Sequence, residues 1–348
     1  MATLQDIADR AEVAVSTVSR VLNGRPEARV TDEVRKRILA VADDLGYRPN
    51  AYARGLANGR GGQIVLAFWS ASSHYSARRV AAIEQSLRHG QRPVMSIDAA
   101  SVPRGPGPLL DLLGTQLPDA IVLIGGSFTA DEMAEVVSHL HSRRVRCIVA
   151  DLPWDVPADA PCDTVRADRD QGAALQMNHL LDLGHRHIGF VSLTNLTGRL
   201  RGYERALEAG SISERYIAPL DPAVQYGNYP LLGPLARSQT REMLERNPQV
   251  TALVCGTDVL ALAAMQGLQE LGLGVPDDLS VVGYDNDVWT EFLPVPLTTV
   301  EHPLDDISHE VKRILAARLG GDDLPWQRIA LDYRLIDRAS TGRPSGRR

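Results

Sequence analysis

Val15-Ser16-Thr17-Val18-Ser19-Arg20-Val21-Leu22-Asn23 is the stretch whose reading decides the fold. Val15, Val18, Val21 and Leu22 recur at helical spacing and must be covered by something, so the segment reads as one short amphipathic helix. Just upstream, across a three-residue break, 4–11 repeats the pattern with Leu4, Ile7, Ala8 and Ala11. Thr3 stands there as an N-cap with Asp6 three residues on, a capping-box arrangement. Downstream, 31–45 opens on Thr31, Asp32 and Glu33, which suit a cap and a first turn, and stops at Gly46. None of the three is long enough to persist alone, so the sequence predicts that they share one small core.

Two short helices joined tightly, with a third packed on them, form the frame of a helix-turn-helix. In that frame the first turn of the second helix offers side chains to base edges while hydroxyls and amides grip phosphates. Val15 suits a thymine methyl, Ser16 donates or accepts, and Arg20 is long enough to fork onto guanine. Thr17, Ser19 and Asn23 are the expected phosphate contacts. A plain helical bundle with a polar face is the alternative, and for an isolated helix it would be preferred. The residues downstream outweigh it: a turn at Tyr47-Arg48-Pro49-Asn50, a helix-length piece at 51–58 with few apolar anchors, and then Gly59-Arg60-Gly61-Gly62. That piece reads as a conditional hinge.

From Gln63 the pattern changes to short apolar runs alternating with helical stretches. Strands are predicted at 64–69, 120–124, 145–150, 188–192, 252–255 and 279–284, and helices at 79–88, 131–142, 171–183, 199–209, 238–246 and 259–271. Such alternation specifies an α/β core of parallel sheets covered by helices, with ligands at the C-terminal ends of the strands. The expected division is an all-α headpiece at 1–47, a hinge helix and linker at 48–61, a two-lobed core at 62–342 and a disordered basic tail at 343–348.

Composition bounds the rest. The chain has 348 residues, enough for two or three compact units. Its net charge of −6 opposes a nucleic-acid role until it is split: residues 1–60 hold 10 Lys and Arg against 8 Asp and Glu, while the remainder holds 27 against 35. No stretch approaches the roughly 18 uninterrupted apolar residues of a membrane span, and residues 1–10 carry charges where a signal peptide needs an apolar core, so a cytoplasmic protein with no membrane partner is expected. Cys147, Cys162 and Cys255 lack metal-site spacing and sit among apolar residues, which points to buried reduced thiols and no metal.

Three runs together, Leu4-Gln5-Asp6-Ile7-Ala8, then 15–24, then Leu45-Gly46-Tyr47-Arg48-Pro49-Asn50-Ala51, give the chain a specific resemblance to the lac repressor (LacI/GalR) family. The likeness continues through 180–189 and 280–285 to Arg338-Ala339-Ser340-Thr341 and so spans nearly the full length. It implies a transcriptional repressor with a periplasmic-binding-protein-like core that binds a pseudopalindromic operator in double-stranded DNA as a homodimer, a tetramer being the alternative. It also implies that the hinge folds on DNA, with Leu56 wedging into the minor groove and Asn50 and Arg54 among the DNA contacts. Ala14 and Glu12 depart from the family pattern, which usually has a capping serine and often a glycine there. An N-cap lost to alanine costs about 0.5–2 kcal/mol.

The resemblance further implies a small effector, a sugar, with a purine or nucleoside as the alternative. Sugars need forked hydrogen-bonding groups and a flat apolar wall. Arg199, in Arg199-Leu200-Arg201-Gly202-Tyr203, and Asp285, after Gly283-Tyr284, match the family's ligand-gripping arginine and aspartate. Asp151 and Thr257 also follow predicted strands, Thr257 where the family commonly has asparagine. Ser73, His74 and Tyr75 occupy the place of its Asn-Pro-aromatic loop, and Trp154 is the candidate stacking ring. Asp258 reads equally well as a helix cap, and His185 and His187 as a structural turn. An enzyme is the main rival in class, since Asp151, Asp285 and His302 make an acid–base set on paper. No P-loop lysine or dinucleotide glycine frame accompanies them, so no catalytic residue and no cofactor is expected.

Overall fold

The computed structural model describes residues 2–22, 30–47, 62–69, 74–88, 90, 92–103, 105–116, 118–125, 128–151, 156–193, 197–220, 229–322 and 324–345. They fall into two units, Met1–Gly62 and Gln63–Arg348.

The first unit is built from α1 (Leu4–Ala11), α2 (Val15–Leu22) and α3 (Asp32–Asp44). The capping box at its start is formed: the Asp6 N–H donates to the Thr3 hydroxyl at 3.2 Å and the Thr3 N–H to the Asp6 carboxylate at 2.8 Å. Thr31 caps α3, and the chain leaves that helix through Gly46 at φ 60°, with the Tyr47 N–H reaching back to the Ala42 carbonyl at 2.8 Å. Ile7, Ala8, Ala11, Val18, Val21, Ile38 and Ala42 form the predicted common core.

The turn between α1 and α2 carries both departures. Glu12 ends α1 in the left-handed conformation, at φ 54°, where glycine is free of steric cost. Ala14 holds the N-cap position of α2: its carbonyl accepts from the N–H groups of Thr17 and Val18 at 2.8 and 3.1 Å, and its methyl side chain offers no acceptor to the helix start.

In the second unit, the first lobe is a parallel sheet of β1 (Ile64–Phe68), β2 (Val94–Asp98), β3 (Ala120–Ile124), β4 (Arg146–Ala150), β5 (Asp163–Ala167) and β11 (Arg328–Leu331), in the order β11-β5-β4-β3-β1-β2. Alternation along each strand sends Ile64, Leu66, Val122 and Ile124 to one face and Val65, Ala67, Ile121 and Leu123 to the other. The first face is covered by α4 (His74–Leu87) and α11 (Leu304–Gly320), the second by α5 (Pro106–Gln116) and α6 (Ala130–Ser142). The second lobe orders β6 (Ile188–Leu193), β7 (Tyr216–Leu220), β8 (Ala252–Cys255) and β9 (Ser280–Val282) as β7-β6-β8-β9. Around it pack α7 (Arg169–Asp182), α8 (Thr197–Ala209), α9 (Tyr229–Arg246) and α10 (Asp258–Glu270).

The chain passes between the lobes after β5, again before α11, and a last time after β11. There β12 (Arg334–Ile336) pairs antiparallel with β10 (Thr299–Glu301). A buried fork fixes the edge of the first sheet: Arg318 on α11 donates from Nε and Nη2 to the two carboxylate oxygens of Asp163 at 2.9 and 2.8 Å. In the second lobe Gly202 lets α8 lie against Ala173 of α7, and the Tyr203 hydroxyl beside it donates to the Ile188 carbonyl at 2.9 Å.

Every strand and helix predicted from Gln63 onward is present, with corrected limits and additional neighbours. The helix expected at 79–88 begins at His74, and that expected at 238–246 begins at Tyr229 and carries Pro234 inside. β2, β5, β7, β10, β11, β12, α5 and α11 are not among the predicted elements, although Ile307, Val311 and Ile314 of α11 recur at helical spacing. Of the expected tail 343–348, residues 343–345 are described, and the Ser345 hydroxyl bonds to the Asp277 carbonyl. The three cysteines are buried free thiols; burial, only partly offset by Arg328, pushes the Cys162 thiol up to about 11. His185 is structural, its ring nitrogens bonded to the Thr251 hydroxyl and the Gly342 carbonyl, both at 2.8 Å.

Candidate functional site

The first unit presents one polar face. Val18 and Val21 turn α2 inward and Val15 packs at the edge of the core, so the same geometry turns Ser16 and Arg20 out to solvent with Thr17 and Ser19 half-buried beside them. Arg20 folds back one turn, donating from Nε to the Ser16 carbonyl at 3.2 Å and from Nη2 to its hydroxyl at 3.4 Å. These bonds are exposed and weak, so the guanidinium is free to exchange them for a base edge or a phosphate. Asn23, Asn50, Arg54 and Leu56 lie outside the described residues.

Between the lobes of the second unit, side chains distant in sequence converge at the strand ends. Asp151, just past β4 and at φ 52°, is wholly buried and is the hub of the first-lobe side. Tyr75 donates its hydroxyl to Oδ2. Arg79, one turn along α4, donates to Oδ2 at 3.1 Å, and Arg169 at the start of α7 donates to Oδ1 at 3.2 Å. Burial alone raises a carboxyl, but Arg169 and Arg79, with His302 and the Tyr75 hydroxyl, outweigh it and hold Asp151 at about 2. Burial and the Asp151 charge in turn push the Tyr75 hydroxyl well above its ordinary range, so it stays a donor.

On the second-lobe side Arg199 bonds to the Gly256 carbonyl and reaches Asp285 Oδ1 at 3.4 Å. Its guanidinium lies 3.9 Å from the centre of the Tyr284 ring. Asp285, at φ 119°, also meets His302 Nε2 at 3.1 Å. The His302 ring stacks on Tyr75 at 3.9 Å between centroids and meets Tyr284 and Tyr333 edge-on. Burial pushes its pKa well below the usual histidine range; Asp151 opposes this and the three arginines add to it, so the imidazole is neutral at physiological pH. Gly172 is needed here, because a Cβ at that position would strike the Tyr284 hydroxyl and come within 2.9 Å of the Tyr333 ring.

The remaining candidates sort by position. Thr257 is the N-cap of α10, its hydroxyl accepting from the Leu260 N–H at 3.2 Å. Asp258, the first residue of that helix, accepts the Asp287 N–H at 2.7 Å and the Thr299 hydroxyl, and burial together with the neighbouring Asp285 charge pushes its carboxyl up to about 8. His74 sits at the rim and joins α4 to the far side through Asp287 at 2.6 Å, alongside a bond from Arg78 to the Asn286 carbonyl at 2.8 Å. Ser73 and Trp154 lie outside the described residues.

The structure thus brings Tyr75, Asp151, Arg199 and Asp285 together as the sequence predicts, and adds Arg79, Arg169, His302, Tyr284 and Tyr333. One available signal was Arg79 four residues beyond Tyr75, on the same helical face. Among the described residues no cluster of His, Cys, Asp or Glu is able to hold a metal, and no helix is long and apolar enough to cross a membrane.

A polar-faced three-helix unit joined to a two-lobed core with a charged, aromatic site between its sheets defines a class: DNA-binding transcriptional regulators with a periplasmic-binding-protein-like core. The chain matches the model of the bacterial regulatory proteins of the lacI family over residues 3–50 and that of the periplasmic binding protein-like domain over 177–341. It is 30% identical to the catabolite control protein A of Priestia megaterium over 345 residues, 97% of this chain and 99% of that one. It is 28% identical to the repressor PurR of Klebsiella pneumoniae (strain 342), over 98% and 97% of the two chains. Its fold matches the lac repressor dimer bound to operator and the anti-inducer ONPF with a TM-score of 0.79 at 24% identity, covering 98% and 99%. The regulator CelR in complex with cellobiose matches at 0.67 and 25%, covering 98% and 100%. The chain belongs to the lacI family, and it is a regulator, not an enzyme.

Proposed function

We propose that this chain is a cytoplasmic repressor that binds a pseudopalindromic operator as a homodimer and is controlled by a hydroxyl-rich small molecule of the sugar class bound between its lobes. The observation that carries the reading is the convergence of Arg199, Asp285, His302 and Tyr75 where the two sheets meet. Forked donors, a carboxylate and flat rings meet there, which is the chemistry a sugar requires. Relatives support it in kind: CelR is seen with cellobiose, and a lacI-family regulator from Enterococcus faecium with ribose. On the DNA side, Ser16 and Arg20 would read base edges, Thr17, Ser19 and Asn23 the backbone, and residues 48–61 would order on the operator with Leu56 as the wedge. An effector with unequal affinity for two lobe arrangements would shift the DNA-binding population by that difference.

Selection from randomised double-stranded oligonucleotides, repeated with a panel of sugars, tests the whole reading. A two-fold-symmetric motif whose occupancy changes with one sugar is expected, with Leu56→Ala weakening binding to that motif. No preferred sequence under any condition would refute it. The Tyr75–His302 stack also favours a second ligand class, a nucleobase or nucleoside held on the same rings, and the same screen separates the two.

A further inference from the structure

We infer that Arg338, in the C-terminal segment, is a positioning residue for the effector site: through Asn286 it holds residues 285–287 so that one end of this short run meets Arg199 and His302 while the other grips α4 of the first lobe. This rests on the reading of the cleft as an effector site and names part of its regulation.

The run is held in a shape its own residues do not favour. Asp285 and Asn286 have φ of 119° and 47°, two consecutive side-chain-bearing residues in the region that glycine prefers. Such backbone persists only where surrounding groups fix it. They do so at Asn286, whose polar groups are all engaged. Its N–H donates to the Thr299 hydroxyl at 3.4 Å and its side-chain amide to Glu301 Oε1 at 2.8 Å, both on β10, which precedes the crossing into α11. Its side-chain oxygen accepts from Arg338 Nη2 at 2.9 Å, and its carbonyl from Arg78 of α4 at 2.8 Å.

Arg338 ties Asn286 to the body of the second lobe. Its Nη1 donates to the Leu297 carbonyl at 2.8 Å and to the Thr290 hydroxyl at 3.3 Å, and its N–H to the Thr298 hydroxyl at 3.0 Å. One planar fork thus spans Asn286 and the loop that follows it. On either side of Asn286 the chain does different things. Asp285 meets Arg199 and His302, whereas Asp287 meets His74 at 2.6 Å and gives its N–H to Asp258 at 2.7 Å. An effector-site carboxylate and a grip on the opposite lobe are therefore neighbours in the chain, and one guanidinium sets both. Without it Asn286 loses an anchor, the left-handed backbone relaxes, and Asp285 and Asp287 shift together.

Amide exchange of the full chain, thermal melts and calorimetric titration with the sugar panel test this on Arg338→Ala, Arg338→Lys, Asn286→Ala, the double alanine variant and Ser340→Ala. Ser340 belongs to the same C-terminal run and bonds to the Val281 carbonyl and the Thr298 N–H, so its loss weakens the second lobe by bonds that do not involve 285–287. Arg338→Ala and Asn286→Ala should each speed exchange at the start of α4, in the other lobe, about ten-fold and weaken sugar binding about as much, and the double variant should add little to either, as residues acting through one contact do. Arg338→Lys keeps one donor and should recover part of both effects. Ser340→Ala should lower the melting temperature and leave α4 exchange and sugar affinity at wild-type values. Additive effects in the double variant overturn the inference, as does α4 exchange that Arg338→Ala leaves unchanged or Ser340→Ala speeds equally; either result leaves the effector reading standing. Should Arg338→Ala fail to fold, Asn286→Ala against Ser340→Ala gives the same comparison. If the wild-type chain binds no sugar of the panel, the effector reading fails and takes this inference with it.

Discussion

Replacing Asp258 by asparagine should remove most of the loss of stability that the wild-type chain shows as pH rises from 7 to 8.5. The Asp258 carboxyl is buried beside Asp285, and its folded-state pKa is about 8 against 3.8 for a free side chain. A raised acid contributes stability that is complete below the unfolded value and drains away as pH climbs through the folded one. With about 1.4 kcal/mol per pH unit at full proton difference, the decline from pH 7 to 8.5 comes to about 1 kcal/mol. That window is chosen because its neighbours are quiet. His302 and His185 are both lowered by burial, so their contribution grows with pH only up to the unfolded histidine range near 6.5. The cysteines, raised by burial, begin to cost stability only near their unfolded value of 9.0. Asparagine preserves the local bonds, since its oxygen still accepts the Asp287 N–H and its amide donates to Thr299. Urea unfolding of both proteins across this window is the assay. Equal pH slopes would refute the reasoning, because they would mean that Asp258 is ionised in the native state at neutral pH.

Three further outcomes are expected. Ala14→Ser supplies the missing acceptor at the start of α2 and should stabilise the headpiece by about 1 kcal/mol, read by thermal unfolding of the full chain with the headpiece followed by amide exchange; unchanged protection in 15–22 would count against the cap. Gly172→Ala should destabilise the second unit by about 1–3 kcal/mol, since the new methyl meets Tyr284 and Tyr333; a melt at the wild-type temperature would contradict that packing. Arg318→Ala strands the buried Asp163 carboxylate and should cost about 3–5 kcal/mol in chemical denaturation, whereas a loss under 1 kcal/mol would show the pair to be solvated.

The sequence pattern exposes what is buried on both sides and hides what is not. Ala120-Ile121-Val122-Leu123-Ile124 is apolar throughout because it lies in mid-sheet under helices, and any reading of periodicity finds it. Val94-Met95-Ser96-Ile97-Asp98 is the outer edge of the same sheet, half exposed, and its mixed composition carries no such mark. Asp163-Thr164-Val165-Arg166-Ala167 is missed for a different reason: polar residues interrupt its apolar pattern, and the first of them, Asp163, is buried in its fork with Arg318. The helix Pro106–Gln116 opens Pro-Gly-Pro, which reads as a loop.

At the site, Arg199 and Asp285 are legible through the glycines near them. Gly202 and Gly283 leave no room for a side chain, the latter against Asp258 and Leu297, and each stands beside a buried aromatic. Arg169 and His302 carry no local signature, and Arg79 carries only its helical spacing from Tyr75. Their roles come from a helix start, a strand end and a chain crossing that meet only in the folded core.

The order in which the first sheet is assembled has a consequence for biosynthesis. Its edge strand Arg328–Leu331 pairs with Asp163–Ala167, so the lobe stays incomplete until residues 328–331 have left the ribosome. Until then the backbone of 163–167 is an open template for strands of neighbouring nascent chains. A premature stop between 168 and 328 therefore yields an aggregation-prone fragment, however intact its headpiece.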